Sequence, residues 1–197
     1  SMNTMGGSVV MNGYYSTADP KKPEMNAGFR MENIGFAQAY KELDMVQKMA
    51  PIFENLKGNF SGNMHIRTLL DNQMSPVMDT MQGNGSLSTQ DLSLSGVKVI
   101  DQIAEAVKKP ELKEMKVKDM ALDFTIKDGR VSTKPFDIKL GDYVMNLSGS
   151  TGLDQTIDYS GKIKLPASAG DIAKLTTLDL KIGGTFSSPK VSLDTKS

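Results

Sequence analysis

The sequence predicts an α+β fold: a large, curved, mostly antiparallel β-sheet of about nine strands, run as a β-meander, with one long helix and one or two shorter helices packed on its apolar face. Three observations carry that expectation. Apolar residues alternate with polar ones over many short runs, the period of a strand with one dry face. Turn dipeptides such as Asp128-Gly129 and Gly141-Asp142 separate the runs. Only two long stretches show the three- and four-residue spacing of an amphipathic helix. The chain has 197 residues, enough for a substantial core, and 1–197 is read as a single domain.

From the N-terminus, 6–16 (GGSVVMNGYYS) reads as a first strand, and Asp19-Pro20 with Lys22-Pro23 marks a turn. Met25, Ala27, Phe29 and Met31 alternate as a second strand, and Asn33 is the expected cap of the next element, a helix. Phe36, Tyr40, Leu43, Val46, Ala50 and Phe53 line one side of that helix over roughly five turns, a lid for one end of the sheet. Pro51 predicts a kink or break near Met49-Ala50, and Gly58 ends the element. Phe60, Gly62, Met64 and Ile66 form a third strand, with the single histidine, His65, on its polar face. A short helix capped by Ser75 is expected over 75–81, broken by Gly83-Asn84-Gly85. Leu87, Leu92 and Leu94 mark a fourth strand. Val97 to Val107 reads as a second helix, with Val99 or Ile100, Ile103 and Val107 on one side, stopped by Lys109-Pro110.

The stretch from Val117 to Leu165 organises the rest, as consecutive antiparallel strands with no helix between them. Met120, Leu122, Phe124 and Ile126 alternate up to Asp128-Gly129. The second turn, Gly141-Asp142, pairs Leu140 with Tyr143, Ile138 with Met145 and Phe136 with Leu147. The Asp128-Gly129 turn pairs Ile126 with Val131 and Phe124 with Thr133; continued without a break, it puts Phe136, Ile138 and Leu140 on the wrong face. The parity therefore changes across Lys134-Pro135, where a bulge or an edge is the natural repair. Ile157 to Leu165 alternates again. A Ser/Ala/Gly-rich loop is expected from Pro166 to Thr177, then a strand from Leu178 to Phe186, a turn at Ser188-Pro189 and a last strand through Val191 and Leu193.

Composition excludes several chemistries. With 23 basic and 23 acidic residues the formal net charge is zero, which argues against a nucleic-acid binder. There is no cysteine and one histidine, so a His/Cys metal site or a thiolate nucleophile is excluded, and a Ser-His-Asp triad rests on His65 alone. Its place between Met64 and Ile66 reads as a solvated strand histidine. Asp119, Asp123, Asp137 and Asp142 fall at turns or outward positions, where they solubilise the sheet; a glycosidase-type pair needs a cleft between them. Gly83-Asn84-Gly85 lacks the Gly-Lys-Ser/Thr of a phosphate loop. Lys108, Lys109, Lys113, Lys116 and Lys118 form a modest basic cluster, read as charged surface, with anionic headgroups as the sharper alternative. Neither catalytic residues nor a cofactor are expected, and the expectation is a chain that is not an enzyme. The 14 methionines suit an adaptable apolar surface or a loosely specified core. Apolar runs are too short for a spanning helix. Ser1-Met2 reads as an expression remnant on an excised fragment whose targeting segment lies upstream.

What remains is the apolar face. Nine strands at about 4.8 Å span roughly 40 Å, whereas a helix is about 10 Å across. Either the sheet curls on itself or part of its face is left for a ligand. An uncovered apolar interior suits acyl chains, which need burial and few directional contacts. The candidate lining is Met120, Leu122, Phe124, Ile126, Phe136, Ile138, Leu140, Tyr143, Met145 and Leu147.

Several stretches resemble the C-terminal region of AsmA-family proteins of Gram-negative bacteria. They are LDMVQKMAPI (43–52), FTIKDGRV (124–131), KPFDI (134–138), SGSTGLDQTIDY (148–159) and IGGTFSSPKV (182–191). The likeness covers nearly the whole chain and rests on turns and strand faces. It implies a domain on the periplasmic side of the inner membrane, anchored there in the full-length protein by an N-terminal helix, and linked to outer-membrane biogenesis. Larger relatives look like bridge-shaped carriers with a greasy groove for phospholipid; this chain is too short to bridge two membranes. The implied partners are phospholipid or another acyl-chain ligand, and the inner membrane. The alternative is a structural or protein-interaction module of an envelope assembly complex, with a fully covered core and a docking edge.

Overall fold

A computed structural model describes residues 2–165 and 177–195. The alternation seen in the sequence becomes one unclosed antiparallel sheet of eleven strands whose spatial order is the chain order. The strands are β1 (Met2–Thr4), β2 (Gly7–Ser16), β3 (Glu24–Gly35), β4 (Leu56–Leu69), β5 (Gln82–Leu94), β6 (Ala121–Lys127), β7 (Arg130–Leu140), β8 (Tyr143–Thr151), β9 (Ile157–Lys164), β10 (Thr177–Gly184) and β11 (Pro189–Thr195). Three short α-helices are described: α1 (Phe36–Glu42), α2 (Asp44–Met49) and α3 (Lys98–Ala106). The fold is mostly β. The stretch expected as a loop after Leu165-Pro166 lies outside the described residues, which resume at Thr177.

The meander takes the expected register. Ile126 pairs with Val131 and Phe124 with Thr133. Phe136 pairs with Leu147, Ile138 with Met145 and Leu140 with Tyr143, and the register shifts between Thr133 and Phe136. One extra residue at Lys134-Pro135 restores the parity, so Val131, Thr133, Phe136, Ile138 and Leu140 share a face. The same device recurs twice. Three β3 steps from Met31 to Ile34 oppose two on β4, with Asn33 at φ 55. Three β5 steps from Gln90 to Ser93 oppose two on β4, with Asp91 at φ 54. Each bulge keeps the apolar residues that come after it on the inner side.

Several local expectations are corrected. The first strand is a hairpin: Met5 and Gly6, at φ 52 and 84, make a two-residue turn between β1 and β2. The expected long helix is three pieces, α1, α2 and a 3₁₀ turn over Pro51–Asn55, because Leu43 is extended (φ −119, ψ 112) and Pro51 stops α2 at Ala50. Gly35, not Asn33, occupies the cap position of α1, since Asn33 is used in the bulge. Ser75 caps no helix; a 3₁₀ turn, Met78–Thr80, is all that forms there. Gly83-Asn84-Gly85 does not end an element but lies inside β5, paired with Ile66, His65 and Met64.

The apolar residues gather into two buried clusters. The larger joins α1, α3 and the inner residues of β7 to β10; the smaller joins Ala27, Met49, Ile66, Met81 and Ile126. Phe36, Phe53 and Phe60 meet with ring centroids 4.8–5.4 Å apart and fix α1 and its 3₁₀ turn on β4. Ile100, Ile103, Ala104 and Val107 bury one side of α3. That helix comes after β5, yet Lys98 Nζ donates to the Ser187 carbonyl at 2.8 Å and Gln102 Nε2 to the Pro189 carbonyl at 3.1 Å, beside β11. In a flat sheet β5 and β11 stand six spacings, roughly 29 Å, apart, and a helix is about 10 Å across. One helix touching both requires the sheet to curl around it.

Candidate functional site: an uncharged inner face

Register places one row of residues from every strand on the inner side. From β3 to β11 these include Met25, Phe29 and Met31, then Phe60, Met64 and Ile66, then Leu87, and onward through Leu122 and Ile138 to Leu193. No inner position of β3 to β11 carries a charged side chain among the described residues; charge is confined to the outer face and the turns. His65 is on that outer face and exposed, as are Asp123 and Asp137.

The ten candidate lining residues share the inner face but divide by burial. Ile126, Leu140, Tyr143, Met145 and Leu147 are buried core, at 5, 1, 6, 1 and 7 % exposure. Met120, Leu122, Phe124, Phe136 and Ile138 are half-buried. Met120, Phe136 and Ile138 pack on the rim of the larger cluster and Phe124 on the smaller, with Leu122 between them on the β6 row. The helices stand in the β3–β4 and β5–β6 connections, at one end of the strands, and this section of the face stays partly open.

Beside it the sheet itself parts. β6 and β7 are paired over Phe124–Lys127 and rejoin where Val117 bridges Leu140 and the Lys118 amide donates to the Lys139 carbonyl at 3.0 Å. Between these points lies a cavity of about 360 Å³, lined by Lys118, Met120, Pro135, Phe136, Asp137 and Lys139 among others. Met120 and Phe136 line it from the inner row, whereas Asp137, Lys139 and Asn146 line it from the outer face. The bulge was legible in the sequence, but the parting was not: it depends on which β6 residues stay paired to β5, where Thr89 and Met120 exchange hydrogen bonds. A second hollow of about 520 Å³, lined by Asn3, Thr4, Gly7, Ser8, Glu32 and Asn33, sits at the β1–β2 hairpin and is polar.

Polar side chains elsewhere are engaged in holding turns. Arg130 Nε donates to Ser150 Oγ at 2.8 Å and its Nη1 to Thr156 Oγ1 at 3.0 Å. The hydroxyl and amide of Thr156 donate to Asp154 Oδ1 and hold that carboxyl below its usual range, with Arg130 adding to the effect. This set pins the β8–β9 turn, where Gln155 takes φ 68. Burial pushes the Tyr159 hydroxyl up, against the hydrogen bond with Thr151 (2.9 Å) and the Arg130 charge, which pull it down. Tyr143 is raised by burial and then by Glu111 and Asp142. Among the described residues no group of three or more His, Asp or Glu side chains is placed to hold a metal ion, and no helix is long and apolar enough to cross a membrane.

Comparison with protein-family models, curated proteins and solved structures finds no match to the chain.

Proposed function

We propose that this chain is a non-enzymatic, AsmA-like domain of the cell envelope that handles phospholipid along the open section of its inner face. One observation carries the reading: Met120, Leu122, Phe124, Phe136 and Ile138 form a half-buried apolar strip on a face without charge. An acyl chain laid on that strip loses water contact without asking for hydrogen bonds. The resemblance of its turns and strand faces to AsmA-family proteins supports a place on the periplasmic side of the inner membrane and a part in outer-membrane biogenesis.

Mass spectrometry of organic extracts from the purified protein tests it, together with titration of a fluorescent fatty acid. Co-purified phospholipid and saturable binding are expected, with Leu122→Glu weakening binding at least ~10-fold by placing a charge on the strip. A protein that carries no lipid and leaves the fluorescent acid free sinks the proposal. The second reading, an assembly module that docks through a sheet edge, is favoured by the unguarded edge of β2.

A further inference from the structure

β2 differs from the other edge of the sheet. Its outer neighbour β1 covers only Gly7, Ser8 and Val9, so Val10–Ser16 has no strand beside it among the described residues. Edges are ordinarily guarded by charge, proline or a bulge. β11 begins on Pro189 and carries Lys190 and Asp194, whereas Gly7–Ser16 has no charged residue, no proline and no register shift against β3. Of seven large hydrophobic side chains exposed among the described residues, four lie on β2: Val10, Met11, Tyr14 and Tyr15, at 36, 55, 62 and 58 %.

The hydrogen-bonding direction of this edge is fixed. The two-residue turn at Met5-Gly6, with both φ positive, makes Thr4 and Gly7 a hydrogen-bonded pair. Alternation then aims the N–H and C=O groups of Met11, Gly13 and Tyr15 outward, and those of Val10, Asn12 and Tyr14 toward β3. In a two-fold antiparallel pairing each residue meets a different position of the same strand, and because Gly7–Ser16 carries no charge no such pairing brings like charges together. Centred on Gly13, antiparallel self-pairing sets Met11 opposite the partner's Tyr15, and Tyr15 opposite the partner's Met11, on the inner face. Asn12 and Tyr14 do the same on the outer face. Gly13 at the two-fold leaves room for the flanking rings.

We propose that β2 is a self-pairing edge, through which two copies of this chain join as an isologous dimer with one continuous antiparallel sheet. The proposal is independent of the lipid reading, and neither outcome there decides it. Sedimentation of the whole chain from micromolar to millimolar concentration should show a monomer–dimer equilibrium. Deuterium exchange should then slow with concentration at the Met11, Gly13 and Tyr15 amides, while Val10, Asn12 and Tyr14, already bonded to β3, change little. M11K/Y15K sets lysine against lysine and should weaken the dimer ~10-fold or more. M11K/Y15E removes the same apolar surface but sets each introduced lysine against an introduced glutamate of the other copy, and should restore the dimer. A chain that is monomeric throughout overturns the proposal. So do dimers that survive M11K/Y15K, equal loss in both variants, or growth into open polymers.

Discussion

Deleting Lys134 takes away the one residue that reconciles the two halves of β7. Val131 and Thr133 are held by their pairing with β6, and Phe136, Ile138 and Leu140 by their pairing with β8. Without the extra residue, one set turns to the outer face. Leu140 is 1 % exposed, and Phe136 and Ile138 are half-buried. Full burial of such a side chain contributes about 1.5–3 kcal/mol and half-burial about half of that, so exposing the three costs roughly 3–6 kcal/mol. If the strand instead slips at Gly141-Asp142, Tyr143, Met145 and Leu147 turn outward, and all three are buried. Either route consumes much of a total stability of about 5–15 kcal/mol. Urea unfolding followed by circular dichroism measures it, with Pro135→Ala as the control. That substitution keeps the residue count at an exposed position and is expected to cost less than ~1 kcal/mol. A Lys134 deletion that keeps its native spectrum and loses under ~1 kcal/mol refutes the parity reasoning.

Three further outcomes rest on local packing and pairing. A Cβ at Gly161 would run into the Asn146 carbonyl of β8, so Gly161→Ala should lose about 2 kcal/mol or more in urea unfolding, whereas Gly183→Ala, with nothing within 4 Å, should change stability by less than ~0.5 kcal/mol. Tyr159→Phe should cost about 1 kcal/mol at neutral pH by losing the bond to Thr151. Because the folded state raises this phenol above 10.0, its contribution is complete below about pH 10 and is lost as pH climbs through the folded value; melting temperatures of the two proteins should therefore converge in alkali, and a pH-independent gap would contradict it. Lys113→Ala breaks the 3.2 Å pair with Glu105, but both side chains are well exposed, so the melting temperature should reflect less than ~1 kcal/mol.

The meander was legible because each of its signals is local. Asp128-Gly129 and Gly141-Asp142 fix two turns, and period-two alternation then fixes which residues face inward, down to the mismatch at Lys134-Pro135. Errors arose where a local signal competes with something non-local. Phe36 to Phe53 has helical spacing throughout, but its residues reach the sheet by breaking at Leu43 and Ala50, with the contacts among Phe36, Phe53 and Phe60 holding the pieces. Gly83-Asn84-Gly85 reads as a breaker in isolation; in the sheet Gly85 lies beneath the Phe124 ring, whose Cζ is 2.7 Å from where a Cβ would sit, so glycine is what the close approach needs. Of the candidate site, the sequence identifies the face but not its burial. Alternation assigns Leu140 and Phe136 to the same side with equal force, and only the placement of the helices and of the connection that brings Val117 against Leu140 separates a sealed residue from a half-open one.

That placement is a consequence of helix length. α1, α2 and α3 have 7, 6 and 9 residues. At 1.5 Å per residue they are about 9–14 Å long. β4 and β5, with 14 and 13 residues, extend about 45 Å at 3.3 Å per residue. Helices this short cover one end of such strands and not their middles. The sheet makes up part of the difference by curling, which lets α3 serve β5 and β11 together, and part with its own side chains, as Phe124 lies over Gly85 and Tyr159 over Gly149. What neither device covers is the strip from Met120 to Phe124 and its neighbours Phe136 and Ile138. A sequence selected only for a closed core would meet that shortfall with one longer helix or with polar inner positions at mid-strand. Here Met120, Leu122, Phe124, Phe136 and Ile138 are half-open and apolar, with uncharged Thr133 the polar residue among them, and that combination makes the middle of the face the part on which the proposed lipid reading is to be tested.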